Sequence, residues 1–413
     1  MKIIYIHPHP TPHQYYSSNG KPPVCWDTPD GGWIGIWGYD WANLLGNNVL
    51  AHTPVQDFEI WQPEPRADKV YSHQFDNGLV HRLFPASYTK RVLGNSKLNA
   101  PAMVEHLEKV PDKDGMIIQT EVSALVNGLV KALPDPRLMG ILHGTIRLPF
   151  EEIFKLRRNV LRYFHLLDEH FTIKQLLRRY RMITYQNDTN LEAFRGMYGG
   201  CLEKITMGVD FERFRKLDKM ACRKDLGLPE DKKIILSVGR LNPLKQNDKI
   251  IQILNRLEEK HDFLLLVIGN ESVPGYADHL QKLAAPLRKA GKVRFEGFKD
   301  PKELVKYYNA ADLFLMSSWS EGGSVATMEA AACQVPVLST RTGYCSELLE
   351  AEGKGLLVGI RDFKQWQRSL DDFLSGRLSI EALGHDVAYD HFSWPSVAKR
   401  FYRAYQKVES IEC

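Results

Sequence analysis

The chain has 413 residues, of which 44% are hydrophobic and 25% are charged, as in ordinary globular proteins. At about 150 residues per domain, this length predicts two or three domains and excludes a disordered or collagen-like chain. Lysine and arginine together number 54 and aspartate and glutamate 50, which gives a net charge of +4. So small a charge on so long a chain gives no reason to expect a nucleic-acid partner.

The six cysteines form no C-x-x-C pair and have no short spacing, which argues against a zinc site or a disulfide framework. This pattern favours a reducing compartment. The apolar run from Met1 to His7 is too short for a signal-peptide core, and no segment approaches the roughly 18 apolar residues of a membrane span. We therefore expect a cytoplasmic protein.

Short runs rich in Val, Ile and Leu alternate with longer helix-period segments, a pattern typical of parallel sheets with crossover helices. In the first half, strands are predicted at Lys2–His7, Leu79–Phe84, Gly115–Thr120, Leu138–His143 and Met182–Gln186. In the second half, they are predicted at Lys233–Val238, Phe263–Ile268, Lys292–Glu296, Asp312–Ser317, Pro336–Ser339 and Gly355–Val358. The fold class is therefore predicted to be α/β.

A polar stretch over residues 209–232 separates the two series of strands and has the composition of a linker. The chain is predicted to form two doubly wound parallel-sheet domains facing a cleft, with a boundary between residues 209 and 210. Ligands of such sheets bind beyond the carboxyl ends of the strands. We therefore searched the residues that follow each predicted strand for chemistry.

Two common nucleotide-binding motifs do not occur in the chain. No G-x-G-x-x-G follows a predicted strand, and no G-x-x-x-x-G-K-[ST] is found anywhere. Asp112 and Asp114 form a D-x-D, but this pair precedes the predicted strand at Gly115 instead of following one. We therefore expect no metal site and no cofactor.

The clearest candidate site lies in the second half, where two strand ends carry groups that suit a diphosphate. Arg240 and Lys245 follow one predicted strand, and a glycine pair directly before a helix-like segment follows another. Free N–H groups at a helix N-terminus form an anion site, worth about 0.3 to 2 kcal/mol from the helix dipole. The candidate residues around these cations are Gly239, Gly322, Gly323, Ser324 and Val325.

Several motifs in this half occur together in one known family. Gly239-Arg240 with Lys245 resembles G-R-L-x-x-x-K, and Glu321 and Glu329 are separated by seven residues. The segment Ala330–Pro336 is similar to the usual E-A-M-A-x-G-x-P. From about residue 182 onwards, the chain therefore resembles the retaining GT-B glycosyltransferases of family 4, the glycosyl transferases group 1. The first 180 residues match only in outline.

The resemblance implies a division of the chain and roles for individual residues. It implies an acceptor-binding domain over 1–209, a nucleotide-sugar (donor) domain over 210–391, and a helix over 392–413 that crosses back to the first domain. Arg240 and Lys245 would neutralise the diphosphate without a metal ion. The resemblance further assigns Glu321 to the hydroxyls of the donor sugar, Glu329 to the ribose hydroxyls of the nucleotide, and His143 to the donor sugar from the acceptor domain.

Other features of the first half have structural interpretations beside functional ones. Gly31 and Gly32 form a turn or let the backbone approach the donor diphosphate. The tryptophan-rich segment, with Trp33 and Trp37, supports a long loop or stacks on an acceptor sugar. The basic stretch 155–181 is a solvated helical face or a peripheral contact with anionic lipid headgroups.

The sequence therefore predicts a retaining hexosyltransferase that moves a sugar from a nucleotide diphosphate to a hydroxyl of a glycan, a glycolipid or a small molecule. A UDP-sugar is preferred over a GDP-sugar as donor. Two alternatives stay open: a GT-B sugar epimerase or phosphorylase, and a non-catalytic protein that binds nucleotide sugars. An epimerase or phosphorylase would use the same donor cleft but need different groups at the reacting carbon. The intact set of Arg240, Lys245, Glu321 and Glu329 argues against a non-catalytic protein.

Overall fold

A computed structural model describes residues 1–7, 22, 24–36, 40–89, 97–110, 116–122, 127–132, 137–142, 171–189 and 191–410. The chain divides into two compact units. Unit 1 comprises residues 1–186, 190–205 and 397–413, and unit 2 comprises residues 187–189 and 206–396. His143, Trp37 and residues 155–170 of the basic stretch lie outside the described residues.

Unit 1 is built on an eight-stranded sheet with the order β12-β11-β10-β9-β1-β4-β6-β5. Its strands are β1 (Lys2–Ile6), β4 (Asp57–Glu64), β5 (Tyr71–Gln74), β6 (Val80–Pro85), β9 (Met116–Glu121), β10 (Arg137–Leu142), β11 (Met182–Tyr185) and β12 (Cys201–Lys204). All neighbours are parallel except β5 and β6. Two antiparallel hairpins lie outside this sheet: β2 (Val24–Asp27) with β3 (Trp33–Ile36), and β7 (Ser87–Thr89) with β8 (Lys97–Asn99).

Sequence reasoning missed the strand β4, although it pairs with β1 inside the sheet. Its sequence D-F-E-I-W-Q-P-E mixes polar residues and a proline with apolar ones, yet seven of its eight residues are buried. Glu59 accepts hydrogen bonds from the Lys2 ammonium (2.7 Å), the Arg82 guanidinium (2.8 Å) and the Trp61 indole (2.8 Å). These partners allow a buried carboxylate, because a buried charge is tolerated when it is paired and hydrogen-bonded.

The helices of unit 1 begin and end with ordinary local signals. They are α1 (Trp41–His52), α2 (Pro101–Glu108), α3 (Asn127–Ala132) and α4 (Leu191–Arg195), and residues 171–177 are also helical. Asp40 starts α1 because its carboxylate accepts a hydrogen bond from the Asn43 N–H at 2.8 Å. Pro101 starts α2, where the missing N–H of proline costs nothing.

Unit 2 is built on a fully parallel six-stranded sheet with the order β15-β14-β13-β16-β17-β18. Its strands are β13 (Lys233–Val238), β14 (Phe263–Ile268), β15 (Val293–Gly297), β16 (Leu313–Met316), β17 (Val337–Thr340) and β18 (Leu356–Val358). All six were predicted from the sequence to within one or two residues. Consecutive side chains alternate between two hydrophobic clusters, one on each face, as in Ile234, Ile235 and Leu236. The apolar runs therefore reflect burial on both faces.

Ten helices of unit 2 are described. They are α5 (Lys219–Asp225), α6 (Asn247–Leu257), α7 (Tyr276–Leu283), α8 (Ala285–Lys289), α9 (Pro301–Ala310), α10 (Val325–Ala332), α11 (Tyr344–Ala351), α12 (Phe363–Leu374), α13 (His385–Phe392) and the first residues of α14 (Trp394–Ser410). Three of them begin at an aspartate whose carboxylate accepts a backbone N–H: Asp218, Asp300 and Asp362. From Val397 onwards, α14 belongs to unit 1, where the Tyr405 hydroxyl donates a hydrogen bond to Gln119.

Among the described residues, no helix combines the length and the apolar character needed to cross a membrane. Cys25, Cys222, Cys333 and Cys345 are free thiols, whereas Cys201 is disulfide-bonded. The cysteine spacing, which has no C-x-x-C pair, did not indicate this bond.

Candidate functional site

The site of unit 2 starts at the carboxyl end of β13, where the backbone needs glycine. Gly239 has a φ of 151°, and its N–H donates to the Ile268 carbonyl at 3.0 Å. A Cβ on the neighbouring Gly269 would lie 2.0 Å from the Gly239 carbonyl oxygen, so two strand-end loops approach each other through glycine backbones. The Lys245 side chain reaches back over Gly239, with its Cε 3.6 Å from where a Cβ would stand.

A short 3₁₀ turn, Pro243–Lys245, fixes Lys245 in this position. The Ser317 hydroxyl donates to the Lys245 carbonyl at 2.7 Å, and the Trp319 N–H donates to the Leu244 carbonyl at 2.7 Å. Both donors follow β16, the strand beside β13 in the sheet. The two strand-end loops are therefore joined by hydrogen bonds.

The structure brings together two of the predicted site residues, Lys245 and Glu321. The Lys245 ammonium and the Glu321 carboxylate form a close ion pair, with 28% of the lysine side chain and 12% of the glutamate side chain exposed. Arg240 is exposed and forms no ion pair with a described residue. One predicted cation is therefore held by a carboxylate, and the other extends into solvent.

Three elements hold the turn that carries Glu321 and Gly322. The Glu321 N–H donates to the Thr342 hydroxyl at 3.0 Å, and the Tyr344 N–H donates to the Gly322 carbonyl at 2.9 Å. The Asn187 amide donates to the carbonyls of both Glu321 and Gly322, each at 3.1 Å. Asn187 is a positioning residue that sequence reasoning missed. Its one signal was a polar side chain two residues after the strand β11.

The helix α10 begins directly after this turn with an uncapped N-terminus. Ser324 has a left-handed backbone (φ 55°), and its hydroxyl bonds to the Thr327 hydroxyl at 2.7 Å instead of capping the helix. Gly323 lies just before it and is buried. Among the described residues, no side chain accepts a hydrogen bond as a cap of this helix, and the helix dipole makes this end attractive to an anion.

A small pocket lies at the Lys245 side chain and the start of α10. Its lining comprises Ser237, Val238, Gly239, Lys245, Asn247, Leu315, Met316, Ser317, Ser318 and Ser324. It lies at the carboxyl ends of β13 and β16, the adjacent strands at which the order of the sheet reverses direction. Ligands of doubly wound sheets bind at such a switch point.

Glu329 lies further along α10 and is partly buried. The Tyr308 hydroxyl donates a hydrogen bond to Glu329 Oε2 at 2.7 Å. Burial raises the pKa of Glu329 to about 7, although the Tyr308 hydrogen bond and the charge of Arg213 act in the opposite direction. Near neutral pH, the charged fraction of this carboxylate therefore depends on its burial, its hydrogen bonds and the charges near it.

The predicted site residues of unit 1 have a different setting. Gly31 and Gly32 lie in the turn between β2 and β3, where the Gly31 N–H donates to the Thr28 carbonyl at 3.0 Å. Gly31 has a φ of 78°, and a Cβ on Gly32 would lie 1.6 Å from the Arg66 guanidinium. The left-handed backbone explains the glycine at position 31, whereas at position 32 a Cβ would displace only the flexible end of the Arg66 side chain. Trp33 is half-buried at the start of β3.

The described residues contain no group of three or more His, Cys, Asp or Glu side chains that could hold a metal ion. The arrangement in unit 2 instead offers a lysine, an exposed arginine and a helix N-terminus. These groups suit an anionic ligand such as a diphosphate.

Comparison with known proteins identifies the class of unit 2. Residues 218–386 match the family described as "Glycosyl transferases group 1". The resemblance seen in the sequence is therefore confirmed for this segment, which lies within unit 2.

The curated relatives match about half of the chain. A D-inositol 3-phosphate glycosyltransferase 2 from Catenulispora acidiphila is 32% identical over 225 residues, which are 52% of each protein. A D-inositol 3-phosphate glycosyltransferase from Thermobispora bispora is 33% identical over 228 residues, 52% of this chain and 53% of the relative. The chain thus spans about half the length of these relatives.

The similarity to solved structures extends over both units. Sucrose-phosphate synthase from Thermosynechococcus elongatus has a TM-score of 0.70 at 18% identity and covers 100% of both chains. HepE from Anabaena, solved in complex with UDP, has a TM-score of 0.68 at 15% identity and covers 98% of this chain and 100% of its own. The chain has the GT-B fold, so the predicted fold class is confirmed.

Proposed function

We propose that this protein is a retaining glycosyltransferase that transfers a sugar from a nucleotide diphosphate sugar to an acceptor hydroxyl. The observation that carries the proposal is the pocket at the switch point of unit 2. Lys245 and Glu321 are paired at this pocket, and the uncapped start of α10 borders it at Ser324. The match of unit 2 to the glycosyl transferases group 1 family supports the same chemistry.

In this proposal, the departing diphosphate is stabilised by groups already in place. Arg240 and Lys245 supply positive charge, and the N–H groups at Gly323, Ser324 and Val325 supply aligned dipoles. Such preorganised groups stabilise the charge that develops in a transition state without reorganising during the reaction. The reaction needs no metal ion, so activity should survive EDTA. Complete inactivation by EDTA that manganese reverses would contradict this.

The same proposal assigns roles to the remaining donor-site residues. Once the diphosphate takes over Lys245, Glu321 is released to accept hydrogen bonds from the hydroxyls of the donor sugar. Glu329 accepts hydrogen bonds from the ribose hydroxyls, and Gly239 leaves room for the phosphates beneath Lys245.

The proposed donor is a UDP-sugar. A protein of the same fold, HepE from Anabaena, was solved with UDP and with UDP-glucose. The proposed acceptor is a carbohydrate, a lipid-linked or a small-molecule hydroxyl, and its proposed binding domain is unit 1. The role that the resemblance implies for His143 stays a prediction, because His143 lies outside the described residues. Peripheral contact of residues 155–181 with a membrane stays a prediction.

A thermal-shift screen across UDP, GDP, ADP and their sugars tests the donor site, because a ligand that binds the native state raises its stability by mass action. We expect UDP and a UDP-sugar to raise the melting temperature of the wild type and to have little effect on Lys245→Ala. No shift with any nucleotide would contradict the proposal.

Product analysis then tests the reaction itself. Incubation with UDP-sugars and candidate acceptors should yield a glycosylated product with retained anomeric configuration together with UDP. Free nucleotide or an isomerised sugar without a glycosylated product would instead indicate a phosphorylase or an epimerase. Binding without any turnover would indicate a non-catalytic nucleotide-sugar-binding protein.

A further inference from the structure

The two carboxylate oxygens of Glu329 have different hydrogen-bond surroundings. Oε2 accepts the hydrogen bond from the Tyr308 hydroxyl at 2.7 Å, whereas Oε1 has no hydrogen-bond partner among the described residues. A carboxylate with one oxygen fixed by the protein has a defined orientation, and its second oxygen stays available to a ligand.

The Tyr308 ring cannot easily move away from this position. Tyr308 lies on α9 with no exposed surface. Its ring packs edge-on against Phe214 at 5.9 Å and lies 5.8 Å from the ring of Phe314, a residue of β16. All three residues belong to the same hydrophobic cluster. The hydroxyl is therefore delivered to Glu329 by a rigid part of the core, not by a mobile surface side chain.

We infer that Tyr308 is a positioning residue of the nucleotide site, whose hydroxyl orients Glu329 and keeps it charged for the ribose 2′- and 3′-hydroxyls of a nucleoside diphosphate. This inference rests on the proposed function, in which Glu329 contacts the ribose. A charged carboxylate accepts hydrogen bonds at both oxygens, whereas a protonated one loses part of that capacity.

Electrostatics supports the same role. Burial raises the pKa of Glu329 to about 7, and the groups that oppose this rise are the Tyr308 hydroxyl on α9 and the charge of Arg213. Cys333, one turn further along α10, is neutral at this pH because burial raises its pKa as well. Loss of the Tyr308 hydroxyl should therefore raise the pKa of Glu329 further and leave more of it protonated at neutral pH.

The chain offers a matched control in the adjacent residue of the same helix. The Tyr307 hydroxyl donates to Glu296 Oε2 at 3.1 Å, and Tyr307 is also buried. Glu296 lies on β15, an edge strand of the six-stranded sheet, and not on α10. Tyr307→Phe therefore removes the same kind of bond to a different carboxylate.

The experiment compares the affinities for UDP and for 2′,3′-dideoxy-UDP by calorimetry, using the full chain. Both ligands carry the same base and diphosphate, so the ratio of their affinities isolates the ribose hydroxyls. At pH 7.5 we expect Tyr308→Phe to weaken UDP binding about tenfold, which corresponds to a loss of roughly 1.4 kcal/mol. The same substitution should weaken dideoxy-UDP binding less than twofold. Tyr307→Phe should change neither affinity.

A pH series and a double mutant complete the test. In the wild type, the preference for UDP should fall as the pH drops below about 7, and in Tyr308→Phe this fall should begin at a higher pH. Glu329→Gln should lose the preference, and adding Tyr308→Phe to it should have no further effect on the ratio.

The outcomes separate the two proposals. If Tyr308→Phe weakens both ligands equally, or if its pH profile matches that of the wild type, Tyr308 is a packing residue and the inference is overturned while the proposed function stands. If the wild type binds neither UDP nor dideoxy-UDP, both fail.

Discussion

The two units carry sheets of the same kind but place their polar residues differently. In unit 2, Arg240, Lys245 and Glu321 lie on loops beyond the strand ends and keep part of their surface in solvent. In the described part of unit 1, polar residues such as Glu59 and His81 lie within strands and are buried against other side chains. Loops beyond a rigid sheet carry function because their side chains remain free to meet a ligand. Buried polar residues instead form part of the scaffold.

Unit 2 also contains buried polar residues, among them Arg223 on α5, whose side chain is 4% exposed. Its guanidinium donates to the Asp312 carboxylate at 2.6 Å and to the carbonyls of Ala310, Glu230 and Lys232 at 2.9 to 3.1 Å. We predict that Arg223→Met lowers the free energy of unfolding by about 3–5 kcal/mol, since it removes a buried guanidinium and leaves the partly buried Asp312 carboxylate and several carbonyls without this partner. Urea unfolding measures this loss.

Lys219 provides the control for Arg223, because it also pairs with Asp312, at 2.9 Å, from a side chain that is 45% exposed. Lys219→Met should cost less than about 1 kcal/mol. Equal losses for the two variants would contradict a special role for the buried arginine.

The next largest effect concerns Arg240 and Lys245, the two cationic residues that follow β13 in unit 2. We predict that Arg240→Ala and Lys245→Ala fold normally but reduce sugar transfer by roughly 10²–10³, the range seen when one preorganised charge-stabilising group is removed. Steady-state rates of nucleotide release from a UDP-sugar measure this. Lys249 on α6 pairs with its neighbour Asp248 and is a suitable control, because Lys249→Ala should leave the rate unchanged. Near-wild-type turnover in both test variants would remove the diphosphate assignment.

The third prediction tests whether the buried polar residues of unit 1 are structural. His81 lies between Asn43 Oδ1 (3.2 Å) and Gln62 Oε1 (3.0 Å), and burial lowers its pKa to about 3. The unfolded chain binds a proton at His81 more readily than the folded protein does. The stability that the neutral, buried His81 contributes is therefore complete above about pH 6.5 and is lost as the pH falls towards 3. Between pH 7.5 and 5.5, we expect the loss to be roughly 1.4 kcal/mol.

The measurement compares urea unfolding of the wild type and of His81→Gln at these two pH values. Between the two pH values, the free energy of unfolding of the variant should fall by roughly 1.4 kcal/mol less than that of the wild type, whatever its stability at pH 7.5. Parallel pH profiles for the two proteins would show that His81 is already charged in the folded state.

The smallest effect concerns the aromatic segment of unit 1. If Trp33 stacks on an acceptor sugar, Trp33→Ala should weaken transfer to the acceptor about two- to tenfold, as expected for a loss of about 0.5–1.5 kcal/mol in aromatic stacking. Donor hydrolysis and UDP affinity should stay nearly intact, since they depend on unit 2. Trp37→Ala should behave in the same way. A lower melting temperature with unchanged kinetics would assign both tryptophans to packing.

Much of unit 2 could be predicted from the sequence because its signals are local. Short runs with apolar residues marked its six strands, most clearly β14, which is buried along its whole length and consists of apolar residues. The motif residues lie in short segments after those strands, where neighbours in sequence are also neighbours in space. The predictions about Arg240, Lys245 and Glu321 could therefore be made without a structure.

The tertiary structure decided the contacts between residues that are distant along the chain. Asn187 holds a turn 134 residues away, and Tyr308 bonds to Glu329 across two helices. The strand β4 was not predicted because it contains charged residues such as Glu59. The fold pairs the Glu59 carboxylate with Lys2 and Arg82, which lie on neighbouring strands. A sequence pattern records the polarity of each residue. Whether that residue contacts a ligand, a partner side chain or water depends on which distant elements the fold brings beside it.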